Sequence, residues 1–189
     1  MNDTAPEWPT WLPIVFSIQN FICLPVGLIG NALVLWASLR YDVFQDTLGG
    51  VCVTLIQSLT VCDLSICFTR WWTDTVVMIT NRWVFGPALC FLSGQVSHFL
   101  GGLEFVLLAS ISCYKLFTLM FPLISRQYVT PTAARWYVAT ITITCLLFRI
   151  PSVFFGRPSI YIPLVMTCEP SHLHSSEKEW IIYKVVHKL

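Results

Sequence analysis

Charge is what this chain has least of. Only 11% of its 189 residues are Asp, Glu, Lys or Arg, against roughly a quarter in an ordinary soluble domain. With 56% hydrophobic residues there is more apolar surface than one soluble core absorbs. Several apolar runs also exceed the ~18 residues that mark a membrane span, which sets aside a soluble helical protein. The formal net charge is +1 and the Lys and Arg residues form no patch, so nothing points to nucleic acid. No Cys and His spacing resembles a zinc site, and no nucleophile–base pair or metal cluster speaks for an enzyme. A cleavable leader is also missing. The start, Met1-Asn2-Asp3-Thr4-Ala5-Pro6-Glu7, is acidic and lacks a short apolar core with a small-residue cleavage site. The first apolar run therefore serves as the insertion signal. There are no internal repeats and no low-complexity tract.

What is present is a series of spans. The first runs from about 12 to 39, long enough at ~1.5 Å per residue to cross a ~30 Å hydrocarbon core even when tilted. Pro25 should kink it. The second covers about 51–79, the third 87–121 and the fourth 135–155, with Pro151 near its end. Residues 122–131 read as a loop. A polar segment, 156–178, follows the fourth span, and within it Ser159 to Cys168 is rich in strand formers, so a hairpin fits there. Pro163 argues against a central strand. A fifth apolar stretch begins near 179 and covers about half a span.

Six of the eight cysteines, Cys23, Cys52, Cys62, Cys67, Cys113 and Cys145, lie within apolar segments and read as small buried hydrophobes. Cys90 and Cys168 sit where a span meets a loop. Three further features stand out. Asn31 lies inside the run Gly30-Asn31-Ala32-Leu33-Val34-Leu35-Trp36, and Asp63 is the lone acid of Leu59-Thr60-Val61-Cys62-Asp63-Leu64. Trp83-Val84-Phe85-Gly86 introduces the third span, with Cys90 at its head. An amide and a carboxylate in separate hydrocarbon-length segments are costly unless they face a protein interior.

In this order, these features resemble the first half of a rhodopsin-like (class A) G-protein-coupled receptor. The resemblance implies an all-α membrane protein, a partial seven-transmembrane helix bundle: residues 1–11 as an extracellular N-terminus and 12–189 as part of the receptor domain. It implies a multi-pass protein of the plasma membrane, surrounded by lipid, that binds an extracellular ligand and, at full length, a heterotrimeric G protein. Loop charges do not orient the chain, since four basic residues on one side face three on the other. The outside N-terminus rests on the Asn2-Asp3-Thr4 glycosylation sequon and on a Cys90–Cys168 disulfide, which the resemblance implies as a tie holding the long outer loop over a pocket.

The resemblance assigns further roles. Asn31 and Asp63 match the pair that borders a polar, water-filled layer at mid-membrane. Glu104 falls at the same depth, where the family usually has a small polar residue. Two carboxylates in one low-dielectric layer cannot both ionise cheaply, so they share a proton or hold a cation such as sodium, the one cofactor expected. Arg70, seven residues after Asp63, is placed to pair with either acid. Tyr114-Lys115-Leu116, followed by Pro122, stand where an Asp-Arg-Tyr triplet marks the G-protein interface. Lys115 keeps the charge but not the planar fork of arginine, and without an acid beside it the ionic latch of the resting state is lost. Trp83, Ser97 and His98 are the pocket candidates. No acid stands near Ser97, so a peptide fits better than a biogenic amine, as does the strand-rich loop. Arg149 has no counterpart in the family, and Ile141 stands where a Trp is expected.

Helices six and seven of such a receptor are absent from the sequence, as is most of helix five, so the chain reads as part of a longer receptor unable to signal alone. A non-signalling short receptor form, a four-span scaffold and a piece of a transporter are the alternatives. The scaffold lacks its Cys-Cys-Gly, and the transporter lacks a repeated pair of broken helices.

Overall fold

The computed structural model describes residues 11–41, 49–80, 82–155, 159–162 and 167–170. The sequon at Asn2, Pro163 and the expected fifth span near 179 lie outside them. In chain order the elements are α1 (Trp11–Arg40), α2 (Gly50–Thr80), α3 (Gly86–Met120), the short α4 (Pro122–Tyr128), α5 (Pro131–Phe155), β1 (Ser159–Ile162) and β2 (Thr167–Pro170). Among the described residues, four helices are long and apolar enough to cross a membrane, over Phe21–Arg40, Gly50–Val77, Gly86–Met120 and Pro131–Pro151. A helix closes its own backbone hydrogen bonds, which hydrocarbon demands. The hydroxyls inside these helices are served the same way: Thr54, Ser58, Ser65 and Thr142 each donate to the carbonyl four residues back at 2.8 Å.

Two boundaries differ from the sequence expectation, and prolines explain both. The fourth long helix starts at Pro131, not 135, because Thr130 caps it. The Ala133 amide donates to Thr130 Oγ1 at 3.2 Å, and Pro131 needs no donor at the first helical position. The stretch read as a loop contains α4, opened in the same way by Pro122.

Helix α2 is the hub, packed against α1, α3 and α5. Its middle meets α3 and α5 in a core of Cys62, Leu100, Leu103 and Leu107, edged by Val138 and Ile141. A second core joins the start of α2 to the start of α5 through Val51, Leu55 and Ala134. Gly50 permits that approach: a Cβ there would lie 2.8 Å from the Pro131 ring. Phe105, Leu119 and Phe148 are exposed on the outer faces, as side chains directed at lipid are. The antiparallel hairpin β1–β2 pairs Tyr161 with Cys168 and lies against α3.

Candidate functional site

The end of the bundle that carries the hairpin is organised by the Trp-Val-Phe-Gly turn. Gly86 has φ +78°, a left-handed conformation that costs an L side chain roughly 1–2 kcal/mol. The Trp83 indole N–H donates to the Gly86 carbonyl at 2.8 Å, closing the turn. Trp83 stands edge-on to Phe85 with centroids 5.2 Å apart, Phe85 edge-on to Trp72 at 5.0 Å, and Trp83 lies 6.2 Å from Tyr161 of β1. Cys90 and Cys168 are both buried and form a disulfide, Cα atoms 5.3 Å apart. The hairpin is thus tied to the head of α3 by a covalent bond and to the turn by aromatic contact. Closing a loop with a sequence separation of 78 stabilises the fold by ~4 kcal/mol in the chain-entropy account. Burial, and secondarily the nearby Asp74 carboxylate, push the Tyr161 hydroxyl up from its ordinary value, so it stays protonated at neutral pH.

Ser97 and His98 lie about two turns further along α3 and are half-buried. One turn closer to the disulfide is a residue that sequence reasoning missed. Gln95 is buried, and its Oε1 accepts a hydrogen bond from Arg149 of α5 at 2.6 Å. Arg149 therefore has a structural partner: a charge-assisted bond between α3 and α5, inside the span where an unpaired guanidinium is most costly. No spacing rule joins residues 54 apart, so this contact is not legible in the sequence.

Arg70 behaves otherwise than expected. It pairs with neither Asp63 nor Glu104; its Nε lies 3.3 Å from Oδ2 of Asp74. The reason is local. Residues four apart on a helix are neighbours, whereas Asp63 is two turns away. The Arg70-x-x-x-Asp74 spacing was the signal available.

At mid-depth, Asp63 of α2 and Glu104 of α3 are both half-buried and near enough for their charges to interact, with Cys62 and Cys67 beside them. Neither acid has a hydrogen-bond or ion-pair partner among the described residues. Asn31 is half-buried, and its amide donates to the Gly27 carbonyl of its own helix at 3.0 Å.

At the opposite end, Tyr114 packs against the core of Val51, Leu55 and Ala134. Lys115, Leu116 and Pro122 are exposed. A groove of about 390 Å³ runs beside Tyr114, between Leu55, Phe117 and Tyr137, and the Ser110 and Tyr137 hydroxyls meet across it at 2.7 Å.

Comparison with known proteins agrees with this geometry. The family described as "7 transmembrane receptor (rhodopsin family)" matches residues 30–189. Galanin receptor type 2 of Rattus norvegicus is 30% identical over 174 residues, covering 85% of this chain and 42% of that receptor. Somatostatin receptor type 1 of the same species is 26% identical over 156 residues, covering 82% of this chain and 38% of that receptor. The chain thus spans about two fifths of the length of these relatives. In fold it is similar to squid rhodopsin, with TM-score 0.72 at 18% identity over 91% of this chain and 45% of that one.

Proposed function

Since this chain belongs to the rhodopsin family of seven-transmembrane receptors, we propose that it serves in reception of an extracellular peptide at the plasma membrane, with its N-terminus outside. The observation that carries the reading is the hairpin held over the head of α3 by the Cys90–Cys168 bridge. A pinned roof shapes a site without the entropy that a free loop would lose on binding. The relatives named for galanin and somatostatin, both peptides, support the ligand class. Ser97 and His98 lie beneath the roof, and Trp83 braces it.

The inner end is proposed as the G-protein side, with Lys115, Leu116 and Pro122 exposed for contact and Tyr114 anchoring α3. The mid-depth acids are proposed as the switch layer. Asp63 and Glu104 would hold sodium or one shared proton, which supplies the positive charge that the layer lacks.

The test is nucleotide exchange on G proteins in cells expressing the longest transcript that encodes these residues, challenged with secreted peptides and with biogenic amines. A peptide response is expected. A response to amines alone contradicts the reading.

A further inference from the structure

Helix α5 holds a cation that the receptor reading leaves unused. Arg149 lies inside the candidate span Pro131–Pro151, where an uncompensated charge is costly. Its Nη2 donates to Gln95 Oε1 of α3 at 2.6 Å, and its Nε is buried with no hydrogen-bond partner among the described residues. Gln95 is a neutral amide, so it orients the guanidinium without neutralising it. Among the described residues, Arg149 has no ion-pair partner. Nor does the side chain simply reach out to water, as long basic side chains near helix ends usually do. The bond to the buried Gln95 holds it against α3.

A groove of about 270 Å³ lies at this point between α3 and α5. Phe99 of α3 and Leu146, Ile150 and Phe154 of α5 line it together with Gln95 and Arg149. Leu146, Ile150 and Phe154 are exposed, so the apolar wall is open to a molecule dissolved in hydrocarbon. Arg149 stands two residues before the end of the span at Pro151, ~3 Å along the helix axis. That is the level at which an acyl chain meets its head group. A guanidinium lacking an anion, beside an apolar groove, is complementary to a carboxylate that carries a hydrocarbon chain. The groove is smaller than the ~300–1,000 Å³ of sites for drug-sized ligands, a volume for one chain rather than two.

We propose that the groove between α3 and α5 binds a long-chain fatty acid from the surrounding bilayer, its carboxylate on the Arg149 guanidinium and its chain along Phe99 and Leu146. Such binding requires the chain to be in a membrane and is independent of any peptide ligand.

The probe is a diazirine-bearing palmitate, photolysed with the 189-residue chain in phosphatidylcholine nanodiscs. Peptide mass spectrometry locates the label, which is expected around Phe99 and Leu146. Palmitate should compete about tenfold better than hexadecanol, which has the chain without the charge. Arg149→Gln should erase that preference, and Arg149→Lys should keep most of it. Ile150→Trp should reduce labelling by filling the groove with Arg149 in place. Equal competition by palmitate and hexadecanol, an undiminished preference in Arg149→Gln, or label spread evenly over the helices overturns the proposal. Phosphatidylglycerol competing as well as palmitate also overturns it, by marking a site for anionic phospholipid. So does absence of label from this face, which would mean that another segment covers it. Retention of the Cys90–Cys168 bridge reports the fold of each variant. If Arg149→Gln loses it, Ile150→Trp and the wild-type competition decide.

Discussion

Gly86 and Tyr114 show how single side chains fix the two ends of this bundle. Gly86 holds a left-handed turn and offers its carbonyl to Trp83. Gly86→Ala should therefore lower stability by roughly 1–2 kcal/mol, seen as a lower thermal midpoint in detergent and weaker ordering of the Trp83 indole. An unchanged midpoint would mean that the turn relaxes freely. Tyr114, which the resemblance sets at the triplet's acidic position, packs among Val51, Leu55 and Ala134 as an apolar anchor. Tyr114→Phe should be tolerated, within about 1 kcal/mol, whereas Tyr114→Asp should cost on the order of 2–3 kcal/mol by burying a charge among aliphatic groups. Comparable midpoints for the two variants would show that Tyr114 does not anchor the helix. What was legible at this scale followed from short-range chemistry. Motif residues such as Trp83, Gly86 and Cys90 announce themselves by identity. Gln95 and Asp74 do not: one acts through a contact 54 residues away, and the other through an i,i+4 pairing with Arg70 that any helix surface can offer.

Between helices, packing depends on small residues and on unmatched charges. Gly50 lets the start of α2 approach the Pro131 ring. Gly50→Val should overpack that junction at a cost of about 1–3 kcal/mol and disturb the nearby inner groove, readable as a loss of midpoint with the outer disulfide intact. A midpoint unchanged by the valine would place α5 further from α2. Asp63 of α2 and Glu104 of α3 are both half-buried and near enough for their charges to interact. In infrared difference spectra, a carboxyl band sensitive to sodium or pH is expected in wild type and should be missing in Glu104→Gln. A band indifferent to both in wild type would separate the two acids. The long helices were legible because aliphatic runs of this length have one solution in lipid. The start of α5 and the whole of α4 fall in the stretch 122–131 that reads as a loop, because a proline is equally at home in a loop and at the first position of a helix. In both cases the proline opens a helix.

Across the described residues, four lipid-length helices and a hairpin tied to the head of α3 make one arrangement: a bundle covalently constrained at one end. The chain spans under half of each receptor that it resembles, so the 189 residues alone should give no ligand-driven nucleotide exchange; a ligand-dependent signal from them alone would contradict that. The account depends most on the hairpin tied to α3, because the peptide reading rests on it. Non-reducing peptide mapping of the membrane-extracted chain, after alkylation of free thiols, tests it directly. The account predicts the Cys90 and Cys168 peptides linked to each other, with the other six cysteines alkylated. Recovery of Cys90 and Cys168 as separate alkylated peptides would contradict it.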